Sequence, residues 1–443
     1  MDLFWSRILF LVCVLGSTAL ADDFPAEGER NWHQWRGPYA NGIAPTADPP
    51  VTWDAETNIR WKAHVPGAGS ATPIVWGERV FVLSARETDI PTEQPREPHP
   101  SAKTLPPEHK FDFLVTCLDR ATGETLWRQT AVQEGPHEGH HTTNSYASAS
   151  PTTDGERLYV SFGSRGVFCY DFEGHRQWGR DLGDMRTRYG WGEGSSPAVW
   201  GDFLIVNRDH EDQSFITALN AKSGEDVWRV ERDEPTSWST PVIVERDGVR
   251  QVIVNATNRM RSYELETCRL WSSCGVQTVN TIPIPFVVGD VGYFASGYRG
   301  AAVYAIPLWS TGEFAAEDAL WTASSGAPYV PSPIVSHGRL YMTAQNTGVL
   351  SCLDASDGHP VFGPQRLPEI ASLYASPISA AGRLYFVGRD GTTAVLAAGD
   401  SLQVLAVNRL EDAVDASPVA VGRQLLLRGS EHVYCVESAL QSP

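Results

Sequence analysis

Short apolar runs alternate along this chain with glycine, proline and polar turns, and no stretch keeps a helical period. Runs such as Arg157-Leu158-Tyr159-Val160 and Arg339-Leu340-Tyr341-Met342, each entered from a glycine turn, read as half-buried strands. The same unit recurs. A proline, mostly after Ser or Thr, opens it at Pro73, Pro151, Pro197, Pro241, Pro283, Pro333, Pro377 and Pro418. From Pro151 to Pro418 the spacing averages about 44 residues, a period that points to the blades of a β-propeller. Within a unit come a short apolar strand, a Gly turn and a second strand. A third strand ends in Asp or Asn, and a fourth carries a large residue: Trp127, Trp178, Trp228, Trp271, Trp321 or Phe362. Four short strands joined by turns predict one antiparallel blade.

Ring closure is legible too. The eighth unit ends after Val433-Tyr434-Cys435-Val436 without its Trp strand, while an orphan strand with a Trp, Asn58 to Lys62, precedes the first unit. Joining the two removes the free edges. The predicted fold is therefore all-β: an eight-bladed β-propeller of four-stranded antiparallel blades, closed by an N-terminal strand. The expected boundaries are a signal peptide at 1–21, an N-terminal extension packing on the propeller at 22–57, the propeller at 58–437 and a tail at 438–443. Two insertions break the period. One is a Pro- and charge-rich surface loop at 86–110 in the first blade, the other lies around Pro307 to Ala319.

The start of the chain changes the picture. Arg7, the apolar run Ile8 to Gly16 and Ala19-Leu20-Ala21 have the layout of a secretory leader, and the run is too short to span a bilayer. This predicts an exported protein, periplasmic or extracellular, with no stable membrane insertion, and a monomer. The net charge of −18 argues against nucleic acid and against a polybasic membrane anchor. Cys117, Cys169, Cys352 and Cys435 share one third-strand position in separate blades, too far apart for the roughly 5.5 Å Cα spacing of a disulfide. Cys268 and Cys274 flank Trp271 on an extended segment. Mostly free thiols are expected.

Cys117-Leu118-Asp119 through Gly123 to Trp127, and Ala218-Leu219-Asn220 through Gly224 to Trp228, resemble the tryptophan-docking motif of pyrroloquinoline-quinone (PQQ) dehydrogenases. The opening Trp32-His33-Gln34-Trp35-Arg36-Gly37-Pro38 with Asn41-Gly42 is similar to exported bacterial PQQ-like propellers. By architecture the chain also resembles the propeller lipoproteins of the barrel-assembly machinery, which are not enzymes. The dehydrogenase resemblance implies PQQ on the propeller axis, between a Trp and a disulfide of adjacent cysteines, with Ca²⁺ held by Glu, Asn and Asp. This sequence has no adjacent cysteines, no Cys-x-x-Cys-His haem site and no Asp-x-Asp-x-Asp calcium loop. No cofactor is expected; PQQ with calcium belongs to the alternative reading.

Candidate site residues follow from the repeat. The loops before the first strand and between the second and third strands share one face around the axis. Before the prolines stand Tyr146, Trp191, Trp238, Tyr329 and Tyr374, either a plug at the channel mouth or a stacking platform for a flat ligand, sugar or peptide. The loops after the second strands offer Arg165, Asn207, Asp209, His210, Asn258, Arg259, Tyr298, Arg299, Asn346, Arg389, Asp390 and Arg428. Five arginines on one rim of an acidic protein suggest an anionic ligand or acidic peptide, or else ion pairs with Asp209 and Asp390. His137, His140 and His141 have a metal-like spacing but fall in a Gly- and Pro-bearing loop, so no metal is expected. The sequence carries no Gly-x-Ser-x-Gly elbow and no phosphate loop. The functional expectation is a non-catalytic binding or scaffold propeller that presents its axial face to a protein partner or to an anionic or carbohydrate ligand. The alternative is a PQQ-dependent oxidoreductase with an atypical site.

Overall fold

The computed structural model describes residues 24–93, 98–275 and 277–438. The expected leader and the last five residues of the tail lie outside them. Eight antiparallel sheets, one per repeat, form a propeller. In the third blade Ala198–Trp200, Phe203–Arg208, Ser214–Asn220 and Asp226–Arg232 pair in sequence order. First strands of neighbouring blades touch one another, which sets them at the axis, and the fourth strands form the exposed rim. Blade eight takes its fourth strand from the N-terminus. Ile59–His64 pairs antiparallel with His432–Glu437, and Trp61 stands opposite Cys435.

The Ser/Thr-Pro opening has a physical reason. In six of the eight blades the backbone N–H of the residue before the Pro donates to the hydroxyl of its counterpart in the next blade: Thr72 to Ser150 (3.0 Å), Ser150 to Ser196 (2.8 Å) and Ser196 to Thr240 (2.9 Å) among them. The series continues from Ser332 to Ser376 (2.9 Å) and from Ser376 to Ser417 (3.0 Å), and Ser417 closes onto Thr72 (3.1 Å). Blade five has Ile282 at this position, and there Ile284 N–H reaches Ser332 Oγ instead. Buried N–H groups at the ends of short strands need acceptors, and hydroxyls from every blade but the fifth supply them around the axis.

The Thr-Gly-x-x-x-Trp pattern is an inter-blade dock. Indole N–H groups of Trp61, Trp127, Trp178, Trp228 and Trp321 donate to carbonyls of the following blade, those of Arg120, Phe172, Ala221, Leu265 and Ala355, at 2.8–3.0 Å. A Cβ on Gly123, Gly174, Gly224 or Gly358 would fall 2.6–2.8 Å from the docked indole. Glycine is therefore needed there twice, for the close approach and for φ of 73–88°. The cysteine positions follow as well. Cys117, Cys169 and Cys435 sit directly across the ladder from Trp127, Trp178 and Trp61, where a small side chain leaves room for the indole. No disulfide joins any pair of cysteines among the described residues.

Both insertions are partly strand. Arg79–Pro91 and His109–Asp119 extend blade one as a long hairpin, so the stretch 86–110 is ladder at both ends. The second insertion places Gly312–Phe314 parallel to Leu270–Cys274, adding a fifth strand to blade four. Residues 24–57 pack on the ring. Phe24 stacks on Trp76, Trp32 bridges to Val75 in blade one, and Ile43–Ala44 pairs with Ser379 and Ala380 in blade seven. Between these anchors the chain crosses the axis. Trp35 packs beside Val242 and Ile284, just past the prolines of blades four and five. Arg36 is 1% exposed and donates to the carbonyls of Pro333 and Pro377 in blades six and seven. Its guanidinium has no carboxylate partner among the described residues, and burial pushes its pKa down to about 9.

Candidate functional site

The axis holds a cavity of about 270 Å³. Its wall combines the aromatic residues before the prolines, Trp191, Trp238, Tyr329 and Tyr374, with hydroxyls of the inter-blade ring: Thr72, Ser150, Ser196, Ser376 and Ser417. Trp35 enters from the far end, where the N-terminal crossing closes the channel. His141, Asn144 and Asp415 complete the polar wall. The indoles are held in place: Trp238 Nε1 donates to Gly192 O (2.6 Å), and the rings of Trp191 and Trp238 lie 6.5 Å apart at 31°. Tyr298 and Arg299 are exposed on the rim, with Tyr298 5.1 Å from the Tyr329 ring and Arg299 over Tyr298. Tyr146, the fifth predicted aromatic, lines a neighbouring cavity instead, edge-on to Phe111 and His140.

The predicted rim of arginines is largely neutralised, by acids other than those foreseen. Arg165 is buried and paired with Glu134 (2.8 Å) and Asp184. Arg259 pairs with Glu313 from the second insertion. Arg389 lies over the Tyr374 ring and grips Asp415 with two bonds, at 2.6 and 3.1 Å. Arg428 is 1% exposed and inside the ring, its pKa lowered by burial to about 10. Asp209 forms a fully buried pair with Arg232 (2.7 Å), and Asp390 stands 3.8 Å from Arg409. Asn207 donates to Asp209, and buried His210 accepts from Arg186 N–H. Asn258 donates to Asp233 O, and Asn346 Oδ1 accepts from Val330 N–H. These residues are wall and loop fastenings, and among the predicted arginines only Arg299 is exposed with no carboxylate partner among the described residues.

The three loop histidines diverge. His137 Nε2 donates to Met185 O (2.6 Å), His140 packs edge-on against Tyr146, and His141 faces Trp191 in the axial cavity. His137 instead meets two acids that sequence reading passed over, Glu138 and Glu193. Both stand in connectors where one acid beside glycines carries no pattern. Burial pushes Glu138 up to about 7, and the neighbouring charge of Glu193 adds to the shift. Trp35, Asn144 and Asp415 were also missed. Trp35 and Asn144 reach the axis from outside the aromatic positions before the prolines, whereas Asp415 stands three residues before Pro418, as Trp238 and Tyr374 stand before Pro241 and Pro377, but is not aromatic.

PQQ carries three carboxylates and would need cations around it. The axial wall supplies no Arg or Lys among the described residues, and Arg389, over the Tyr374 ring, is already engaged by Asp415. The lining itself offers no counter-charge to those carboxylates. Among the described residues no helix is long and apolar enough to cross a membrane.

Comparison with known proteins places the fold. No curated protein sequence matches the chain. Among solved structures, BamB from Moraxella catarrhalis is 14% identical, with a TM-score of 0.54 over 82% of this chain and 99% of that one. A europium-containing methanol dehydrogenase gives 10% identity and a TM-score of 0.65, covering 93% of this chain and 92% of its own. The quinohemoprotein alcohol dehydrogenase from Comamonas testosteroni gives 11% and 0.64, covering 95% and 83%. At such identities the likeness concerns the propeller itself. The family model described as outer membrane protein assembly factor BamB matches residues 112–363, more than half of the chain, and the protein therefore belongs to that family.

Proposed function

We propose that this chain is an exported, non-catalytic binding propeller whose axial cavity receives a flat, uncharged ligand edge, best met by a carbohydrate. One observation carries the reading: a cavity closed at one end, with indole and phenol rings standing beside a circle of hydroxyls. Sugar rings present apolar faces that stack on aromatic side chains and a hydroxyl edge that needs polar partners. The pairing of Arg165, Arg259 and Arg389 with acids weighs against an anionic ligand. The test is tryptophan fluorescence during titration with a panel of soluble oligosaccharides, together with retention on insoluble glycans. Saturable quenching that Trp191→Ala and Trp238→Ala each weaken by about 10-fold or more supports the reading. Retention unchanged in the double variant removes it.

A second reading is favoured by family membership: a scaffold that presents the axial face to a protein of an outer-membrane assembly machinery. Crosslinking through a photoreactive residue at Tyr298 or Arg299 would report such a partner, and labelling no stronger than at a residue on the outer rim would count against it. Titration with PQQ and Ca²⁺ tests the oxidoreductase alternative; saturable, calcium-dependent quenching would favour it over both.

A further inference from the structure

We propose that a second cavity, between the first three blades, holds a divalent transition-metal cation of the Mn²⁺ or Zn²⁺ class, bound by His137, Glu138 and Glu193 with Asn207 Oδ1. One nitrogen of His137 and one carboxylate oxygen from each glutamate lie within 4.8 Å of one another. The residues come from three separate places. His137 and Glu138 belong to the connector from blade one to blade two, Glu193 to the next connector, and Asn207 to the second strand of blade three.

The site is built. Glu138 accepts from Thr187 N–H and Oγ, and Glu193 accepts from Ser164 N–H and Oγ, so each carboxylate is fixed with lone pairs to spare. Gly163 is shaped around Glu193: a Cβ there would stand 1.3 Å from its Oε2. His137 donates through Nε2 to Met185 O, which leaves Nδ1, 3.7 Å from Asp184 Oδ1, as the nitrogen that can turn a lone pair to the ion. A backbone carbonyl holding the other ring nitrogen is the usual support of a metal-ligating histidine.

Asn207 is the independent sign of a missing ligand. It is 3% exposed and lines this cavity, its Nδ2 is committed to Asp209, and its Oδ1 has no hydrogen-bond partner. A buried carbonyl oxygen left unsatisfied calls for a donor or a cation. The arginines of the cavity do not take that place. Arg165 is paired with Glu134 and Asp184, and Arg208 donates to the carbonyls of Gly163 and Gly183. Among the described residues neither glutamate has an ion pair of its own. One imidazole with two carboxylates and an amide oxygen suits a first-row divalent ion better than calcium, which prefers oxygen alone. Ser148 and Gly194 line both cavities, so the ion would fix the wall of the axial cavity and two connectors at once.

The experiment uses the full chain, stripped with EDTA, desalted and titrated with MnCl₂, ZnCl₂ and CaCl₂ by calorimetry. Metal content is measured after a second desalting. One equivalent of Mn²⁺ or Zn²⁺ is expected, with Glu138→Gln and Glu193→Gln each weakening binding by at least about 10-fold and His359→Gln leaving it unchanged. The circular dichroism of every variant in EDTA should match the wild type. If a glutamate variant fails to fold, His137→Gln takes its place. No retained metal overturns the proposal. So does a Mn²⁺ or Zn²⁺ isotherm unchanged by these variants, which assigns binding to surface histidines. Saturation by Ca²⁺ alone overturns the assigned class.

Discussion

Replacing Ser376 by alanine tests the idea that the propeller is fastened at its axis by hydroxyls from seven of its eight blades. Ser376 Oγ accepts the N–H of Ser332 at 2.9 Å, and the two residues are 2% and 1% exposed. Alanine keeps the backbone and leaves that N–H buried without its acceptor. An orphaned buried donor costs about 1–3 kcal/mol, and removing the serine hydroxyl returns a little of this. A loss of about 1.5 kcal/mol is expected. Heat would show it poorly. With an unfolding entropy of about 2 cal/mol/K per residue, a chain of this length would shift its Tm by only about 2 °C. Urea is sharper: at an m-value of about 3 kcal/mol/M the midpoint falls by about 0.5 M. Ser401→Ala, at an exposed position, is the control and should stay within about 0.1 M. A Ser376→Ala midpoint no lower than the control's, at unchanged m, would refute the reasoning: the ring bonds would then be replaceable by water in the axial cavity.

Three further outcomes follow from the same geometry. Cys268 occupies the turn position that Gly123, Gly224 and Gly358 hold in sister blades, with φ of 56° and the same N–H bond back four residues, to Glu264; Cys268→Gly should raise stability by about 0.5–1 kcal/mol in urea unfolding, since relief of left-handed strain exceeds the added chain entropy. Gly224→Ala should do the reverse, losing 2 kcal/mol or about that, because its Cβ would meet the Trp178 indole at 2.8 Å in a left-handed turn; a Trp178→Ala background should shrink the loss. His33 is buried beside Phe24 and Trp76, and burial lowers its pKa to about 4 from 6.5. The unfolded chain then binds the extra proton, so this contribution is complete above about pH 6.5 and is lost as pH falls towards 4, by about 3 kcal/mol in all; His33→Gln should flatten the slope of stability against pH in that window, and an unchanged slope would show that His33 is not its source.

The sequence alone determined the blade count, the strand order and the closure by Trp61, because each depends on local signals repeated eight times. A proline after a hydroxyl, a glycine turn and an indole at a fixed offset are short-range patterns, and their recurrence makes a weak signal strong. It also marked the axial aromatics, since each stands a few residues before a proline that opens a strand at the axis. What it could not decide is what those residues meet. Tyr146 stands at a repeat position yet turns to the cavity beside it, drawn by Phe111 on the lengthened hairpin of blade one. Arg259 looked like a free rim cation until Glu313 arrived from an insertion in the next blade. Trp35 and Arg36 close the channel only because the segment between its anchors on blades one and seven reaches across the axis to Val242 and Ile284 in blades four and five. Glu138, Glu193 and Asn207 are far apart in sequence and belong to no shared motif, and only the packing of three blades brings them to one cavity. Repetition encodes the scaffold locally, whereas charge pairing and cavity chemistry arise between blades, where sequence distance says nothing about contact.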